Sequence, residues 1–189
     1  GISDAVIDTH KLGWGEFYGK WWITIPIQDI DGGFRYFKLR QDPSTGDKKI
    51  TYPKGAAEAQ IYGWEMLKND NNSLVICEGE FDRLALLSRG IQAITSTHGA
   101  MTFKQEWLEN VGRKGRQFYI CFDNDETGRK GAERTAKIVI NAGGEAYIAT
   151  LPSEVGEGGD ITDYLVKLGG NPDDLFTKYS KGYPEKIDT

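Results

Sequence analysis

Three short acidic groups carry the chemistry this chain could do. Glu78, Glu80 and Asp82 follow the apolar run Leu74 to Cys77, Asp123 and Asp125 follow the apolar run Phe118 to Phe122, and Asp160 and Asp163 follow a Gly-rich stretch. Carboxylates brought together repel one another and stay ionised at low cost only with a cation between them. The expected cation is a hard one. Oxygen ligands favour Mg²⁺ or Mn²⁺, whereas zinc sites use Cys and His, of which the sequence has no suitable cluster. An ion with few protein ligands completes its shell with water and substrate phosphates, which points to phosphoryl chemistry.

The two apolar runs are the elements that must position these groups. A continuous apolar run bounded by polar turn residues suits a strand buried on both faces of a parallel sheet. Each is followed by a helical pattern: Phe81, Leu84, Ala85 and Ser88 up to Gly90, then Ala132, Ala136 and Val139 within a helix expected over 129–141. Ligands of such sheets sit beyond the carboxyl ends of the strands, where both acidic groups would emerge. Further strands are expected at 91–95 and 145–151. Helices are expected from Thr102, with Gln105 completing a capping box, to about Val111, from Asp160 to Leu168, and over 172–179.

Upstream, Trp21 to Ile27 reads as a strand that Pro26 demotes to an edge, and Asp31-Gly32 as a hairpin into a second strand, Phe34 to Arg40. Alternation puts Phe37 and Leu39 on one face, expected to be core, and Tyr36, Lys38 and Arg40 on a basic one. From Phe34 to Lys54 six basic residues stand against two acidic ones, with Phe34, Tyr36, Phe37 and Tyr52 interleaved. That stretch suits either a nucleic-acid or nucleotide surface or a solvated hairpin. A helix is expected over 61–68, and residues 1–20 show no clear period. His98, at the end of the 91–95 strand, is a lesser candidate for touching substrate.

Charged residues make up 27% and aromatics 12%, a globular composition. A net charge of -5 gives no global attraction to nucleic acid, so binding would need a local patch. Cys77 and Cys121 lie inside the central strands and read as packed thiols of a reducing compartment. No apolar stretch approaches the roughly 20 residues of a membrane span and no secretory signal opens the chain, so a cytoplasmic location is expected. Opening on Gly1 rather than Met, the chain reads as a piece of a longer protein.

An EF-hand loop at Asp123 would need a Glu where Arg134 stands. A haloacid-dehalogenase-like phosphohydrolase is a rival for Asp123-x-Asp125-x-Thr127, but there the Asp-x-Asp strand comes first, whereas two β/α units precede it here. The chain resembles more closely the TOPRIM domain shared by primases, topoisomerases and some nucleases. The resemblance is carried by a strand ending in Glu78-Gly79-Glu80-Phe81-Asp82, then by a strand ending in Asp123-Asn124-Asp125 with Gly128 following. It covers roughly 73–168. The segment Gly159 to Leu165 resembles the third acidic motif of DnaG-type and phage primases, and Ile25-Pro26-Ile27 with Lys38-Leu39-Arg40 resembles their basal part.

The resemblance implies an α/β fold: a Rossmannoid parallel sheet with helices on both faces, preceded by a small β-rich basal module. The expected organisation is a basal module over 1–72, the TOPRIM domain over 73–170, and a C-terminal helix and polar tail over 171–189. It further implies a primase-type nucleotidyltransferase making RNA primers on single-stranded DNA from ribonucleoside triphosphates. In that reading Glu78, Asp123 and Asp125 are catalytic and bind Mg²⁺ or Mn²⁺, with Asp82 and Asp160 as further metal residues. Lys38, Arg40 and Lys54 contact nucleotide or template. A replicative helicase is the implied partner, in a phage, plasmid or cellular replication system. The alternative is a TOPRIM nuclease or a nucleic-acid-binding module; the sequence contains neither a Cys-x-x-Cys zinc module nor a helicase phosphate loop.

Overall fold

The computed structural model describes residues 1–41, 50–51, 58–69, 72–109 and 115–183. Two sheets organise them. The smaller is antiparallel, in the order β1 (Gly13–Phe17), β2 (Lys20–Gln28), β3 (Phe34–Arg40) and β4 (Ile50–Thr51). It follows α1 (Asp4–Thr9), whose first turn is capped by the Ser3 side chain. Pro26 is tolerated inside β2 because β1 pairs only as far as Thr24; beyond it, the strand has β3 alone as a neighbour and one side needs no donor.

The larger sheet holds four parallel strands, β6 (Ser73–Cys77), β7 (Ala93–Ser96), β8 (Gln117–Cys121) and β9 (Glu145–Ala149), in the order β9-β8-β6-β7. An antiparallel strand flanks each edge: β5 (Ile61–Tyr62) beside β7 and β10 (Ser180–Gly182) beside β9. The sheet is therefore mostly, not wholly, parallel. β5 lies on the amino-terminal side of the boundary expected at residue 72, so the first segment of the chain contributes an edge to the second sheet.

Helices cover both faces. On one, Ile76 and Ile120 pack under Ala132, Ala136 and Val139 of α5 (Glu126–Asn141), with Trp64 of α2 (Trp64–Lys68) and Trp107 of α4 (Glu106–Glu109) completing the layer. On the other, Val75, Cys77 and Cys121 meet Ala85 and Leu86 of α3 (Glu80–Leu87), Leu165 of a widened π-type turn at Asp163–Lys167, and Leu175 of α6 (Asp174–Thr177). Burying each of the larger aliphatic side chains stabilises the fold by roughly 1.5–3 kcal/mol. Both cysteines are free and buried. Among the described residues no helix is long and apolar enough to cross a membrane.

Three expectations are corrected. The helix expected over 61–68 begins only at Trp64, because Gly63 takes φ 115° and breaks the chain between an edge strand and the helix. Thr102 does not cap a long helix. Its hydroxyl bonds Gly99 O and Ser96 Oγ, it closes a 3₁₀ turn at Ala100–Thr102, and α4 starts at Glu106. Most consequential, the basic face of β3 is not the solvent face. Tyr36 and Lys38 are buried, and with Ile25 and Ile27 this face packs toward Tyr62 and Leu84 of the larger unit. Phe37, expected in the core, is only partly buried on the opposite face against Phe17 and Phe34.

Candidate active site

Cys77 and Cys121 stand in register on adjacent parallel strands, so the residues that follow them leave the sheet side by side. The backbone N–H of Asp123 donates to Glu78 Oε2 at 3.3 Å, tying the two strand ends together. Asp125, two residues on, is the N-cap of α5, its Oδ1 accepting from Gly128 N at 2.7 Å. A carboxylate in that role complements the positive end of the helix and keeps its other oxygen for a ligand.

The residue between the two aspartates anchors the third acidic group. Asn124 N donates to Gly159 O at 2.9 Å, Gly158 N donates to Asn124 O at 3.1 Å, and Asn124 Nδ2 donates to Gly156 O at 3.0 Å. The Gly-rich loop is thereby laced to the Asp-x-Asp turn. From the other side Asp82 Oδ1 accepts from Thr162 N at 2.9 Å and from Thr162 Oγ1 at 2.7 Å. Asp160 stands between these anchors, its Oδ1 accepting from Asp163 N at 2.6 Å. Asp163 itself pairs with Lys167 at 2.5 Å.

The electrostatics record how close the acids are. Burial, then the charges of Glu78, Asp82, Asp160 and Asp125, push the Asp123 carboxyl up to about 8. Asp82 is pushed up to about 7 by burial and then by Asp160, against the two Thr162 bonds. Glu78 is raised by burial, with the Asp123 N–H opposing and Asp125 adding to the shift. Asp160 is raised chiefly by burial. Glu78, Asp82, Asp123, Asp125 and Asp160 thus form one electrostatic neighbourhood.

A hard divalent ion fits the chemistry of this donor set, which is all oxygen, half-buried and short of compensating positive charge. Among the described residues, however, no three acidic, His or Cys side chains converge tightly enough to hold an ion by themselves. An ion here would take a small number of carboxylates and fill its shell with water or phosphate oxygens, as Mg²⁺ commonly does.

The basic candidates divide. Lys38 is buried, its Nζ 2.7 Å from Glu80 Oε1 and donating to Thr97 O, so it is occupied inside the molecule rather than presented to a phosphate. Arg40, two residues along the same face, is half-buried with its guanidinium 4.6 Å from the Phe81 ring centroid, and its charge reaches Glu80 and Asp160. Lys54 lies outside the described residues. His98 sits beside this group, Nδ1 3.1 Å from Thr97 Oγ1, its pKa lowered by burial and then by Lys38. Sequence reasoning missed Glu80 as the partner of Lys38 and Thr162 and Asn124 as anchors. Their positions inside or beside the acidic motifs were the available signal.

The Toprim-like family model matches residues 75–165, the span from β6 through the third acidic group. Residues 75–165 form a Toprim-like domain. The DNA primase of Aquifex aeolicus (strain VF5) is 28% identical over 156 residues, which are 78% of this chain and 30% of that protein. The crystal structure of the Aquifex aeolicus primase zinc-binding and RNA polymerase domains superimposes with a TM-score of 0.74 at 22% identity, over 97% of this chain and 54% of the other. A structure of the DnaG primase catalytic domain bound to ssDNA gives 0.70 at 20% identity, over 96% and 69%. The small sheet and the TOPRIM sheet together have the fold of a primase catalytic core. The chain spans less than a third of the length of the Aquifex aeolicus primase it matches.

Proposed function

We propose that this chain is the catalytic core of a DNA primase, joining ribonucleotides on a single-stranded DNA template. The observation that carries the reading is the convergence of Glu78 and Asp123 at adjacent strand ends, with Asp160 held nearby by Asp82 through Thr162 and by Asn124. Glu78, Asp123 and Asp125 are assigned to Mg²⁺ or Mn²⁺, with Asp82 and Asp160 in support. A divalent ion bound there supplies charge neutralisation for triphosphate oxygens and lowers the cost of forming an attacking oxyanion.

The chain's own part is positioning. Glu78 is half-buried with a raised pKa, which suits it to hold a proton from an attacking hydroxyl. Among the described candidates, half-buried Arg40, whose charge reaches Asp160, is assigned to a phosphate, whereas Lys38 is held by Glu80 and Thr97. The Asn124 and Thr162 bonds keep the acidic groups from drifting apart when their charges are unneutralised. Ribonucleoside triphosphates and single-stranded DNA are the proposed substrates, a replicative helicase the proposed partner, and the cytoplasm the proposed location.

The test is ribonucleotide incorporation on single-stranded DNA with Mg²⁺ or Mn²⁺, comparing the chain with Glu78→Gln and Asp123→Asn. Template-dependent products that disappear in both variants are expected. Metal-dependent release of nucleotides from the strand, without incorporation, would replace the primase reading with a TOPRIM nuclease.

A further inference from the structure

The β1–β2 hairpin carries three large aromatic side chains into solvent: Trp14 is 55% exposed, Trp21 54% and Tyr18 64%. Apolar surface of this kind on a small sheet marks a contact site when it is contiguous. Here it is also ordered. The Trp14 and Trp21 rings lie 11° from parallel with centroids 6.0 Å apart, offset along one face of the hairpin.

The turn beneath them is built at a cost. Tyr18 and Gly19 both take positive φ, 55° and 69°, in the two-residue turn where Asn-Gly or Asp-Gly is favoured. A bulky aromatic in the left-handed region is a genuine outlier, and such strain gathers at ligand-contacting segments.

Register fixes what this face adjoins. Trp14 is opposite Ile23, and Ile23 is opposite Arg40, so the three stand in one row across β1, β2 and β3 with side chains on the same face. Two strand spacings, about 10 Å, separate the Trp14 and Arg40 backbones. Arg40 in turn lies over Phe81 and bears on Asp160 of the acidic cluster. The indoles thus continue the lip of the carboxylate site outward. Glu16, opposite Trp21, shares their face, whereas Lys20, opposite Phe17, is on the other, so this face of the hairpin has little attraction for phosphate and its contribution must come from ring surface.

We propose that Trp14 and Trp21 form a stacking platform for unpaired DNA bases, with Arg40 holding the phosphate between the platform and the carboxylate cluster. The proposal rests on the primase reading and adds to it the subsite that receives the strand outside the reacting centre. Every base presents a π-face, so the platform is indifferent to sequence and leaves initiation specificity elsewhere.

The test is fluorescence anisotropy of a labelled oligothymidylate of about 15 nucleotides, without divalent metal, across a salt series. The full chain is compared with the Trp14→Ala/Trp21→Ala and Trp14→Phe/Trp21→Phe double variants. The alanine variant is expected to lose about 5- to 150-fold in affinity per stacked base, and the phenylalanine variant to stay within about threefold of wild type. The salt dependence should have the same slope in all three, because the indoles displace no counterions. Equal binding by wild type and the alanine variant would overturn the platform while nucleotide incorporation, measured separately, still decides the primase reading. No binding by the wild type would also overturn it, and a chain that then incorporates nucleotides would keep its function and lose only this subsite. If sedimentation finds a dimer that the alanine variant breaks with DNA affinity unchanged, the face belongs to a second copy and the proposal fails.

Discussion

Lys38 Nζ and Glu80 Oε1 form a buried ion pair at 2.7 Å, joining β3 of the small sheet to the first turn of the first TOPRIM helix. Burial raises the Glu80 pKa and the Lys38 charge pulls it back, so each group is tolerated because of the other. Removing one partner of such a pair leaves an uncompensated buried charge and costs about 3–5 kcal/mol, whereas replacing both by apolar groups is often neutral. Urea unfolding should therefore find Lys38→Met strongly destabilised at neutral pH and Lys38→Met/Glu80→Met near wild type. In the single variant the deficit should shrink as pH falls, because a protonated Glu80 no longer needs its partner. A single variant as stable as wild type would show that water reaches this interface.

A pH dependence follows from the acidic cluster. Asp123 and Asp82 are raised from an ordinary 3.8 to about 8 and about 7, so between those values the folded chain binds more protons than the unfolded one. Stability from these groups is then greatest in acid and is lost as pH rises through their folded pKa values. In chelator, thermal unfolding should show these groups lowering Tm between about pH 4 and about pH 8, with millimolar Mg²⁺ restoring part of the loss at the alkaline end. Asp123→Asn should flatten the profile and be the more stable protein at high pH. A Tm that rises with pH in chelator would contradict the raised values.

The centre of the TOPRIM sheet was legible because β6 and β8 are unbroken apolar runs, and such runs end where polar groups must find solvent or a ligand. The edges were not. β5 and β10 have two and three residues, too few for a period to show, and β1 hides its alternation behind Gly13 and Gly15. The acidic residues of the site were read from strand ends and helix starts. The fate of Lys38 was not, because alternation along β3 says which side chains share a face and nothing about which face meets a second sheet. Charge suggested solvent; the packing of Ile25, Ile27 and Tyr36 decided otherwise.

Asp82 acts through Thr162. Its Oδ1 accepts both the backbone and hydroxyl protons of that residue, and at 5% exposure it has little access to solvent. Asp82→Ala leaves a part-buried N–H and O–H unsatisfied, at a cost of about 1–3 kcal/mol. The local consequence should exceed the global one, since Thr162 fixes the turn that bears Asp160. Hydrogen exchange at the Thr162 amide should accelerate in Asp82→Ala, while the Asn124 amide, held from the opposite side by Gly159, should keep its protection. Thr162→Val should lose only the hydroxyl bond and fall between wild type and Asp82→Ala. Uniform acceleration across the TOPRIM strands in the alanine variant would mean global unfolding instead of a freed loop.

Gly128 sits where the Asp-x-Asp turn folds back onto the start of the helix it feeds. A Cβ added there would lie 2.1 Å from the Asp123 carbonyl oxygen, with the Asp123 C and N at 3.0 and 3.1 Å. All three are backbone atoms, so no side chain can swing away, and the same residue's N–H is the donor that Asp125 caps. Gly131, one turn on, meets the Ala100 side chain at 2.6 Å and its backbone at 3.2 Å, a contact that a small movement of the 3₁₀ turn could ease. Alanine is the better helix former at both positions by about 1 kcal/mol, so the sign of each substitution is a contest between propensity and clash. Overpacking costs about 1–3 kcal/mol where neighbours can shift and more where they cannot. Chemical denaturation should accordingly rank Gly128→Ala well below Gly131→Ala in stability, and the former should also move Asp123 away from Glu78. The metal-dependent nucleotide incorporation proposed for this chain should fall in that variant even at temperatures where it remains folded. Equal stability of the two variants would mean that the turn around Asp123 is softer than its backbone contacts imply.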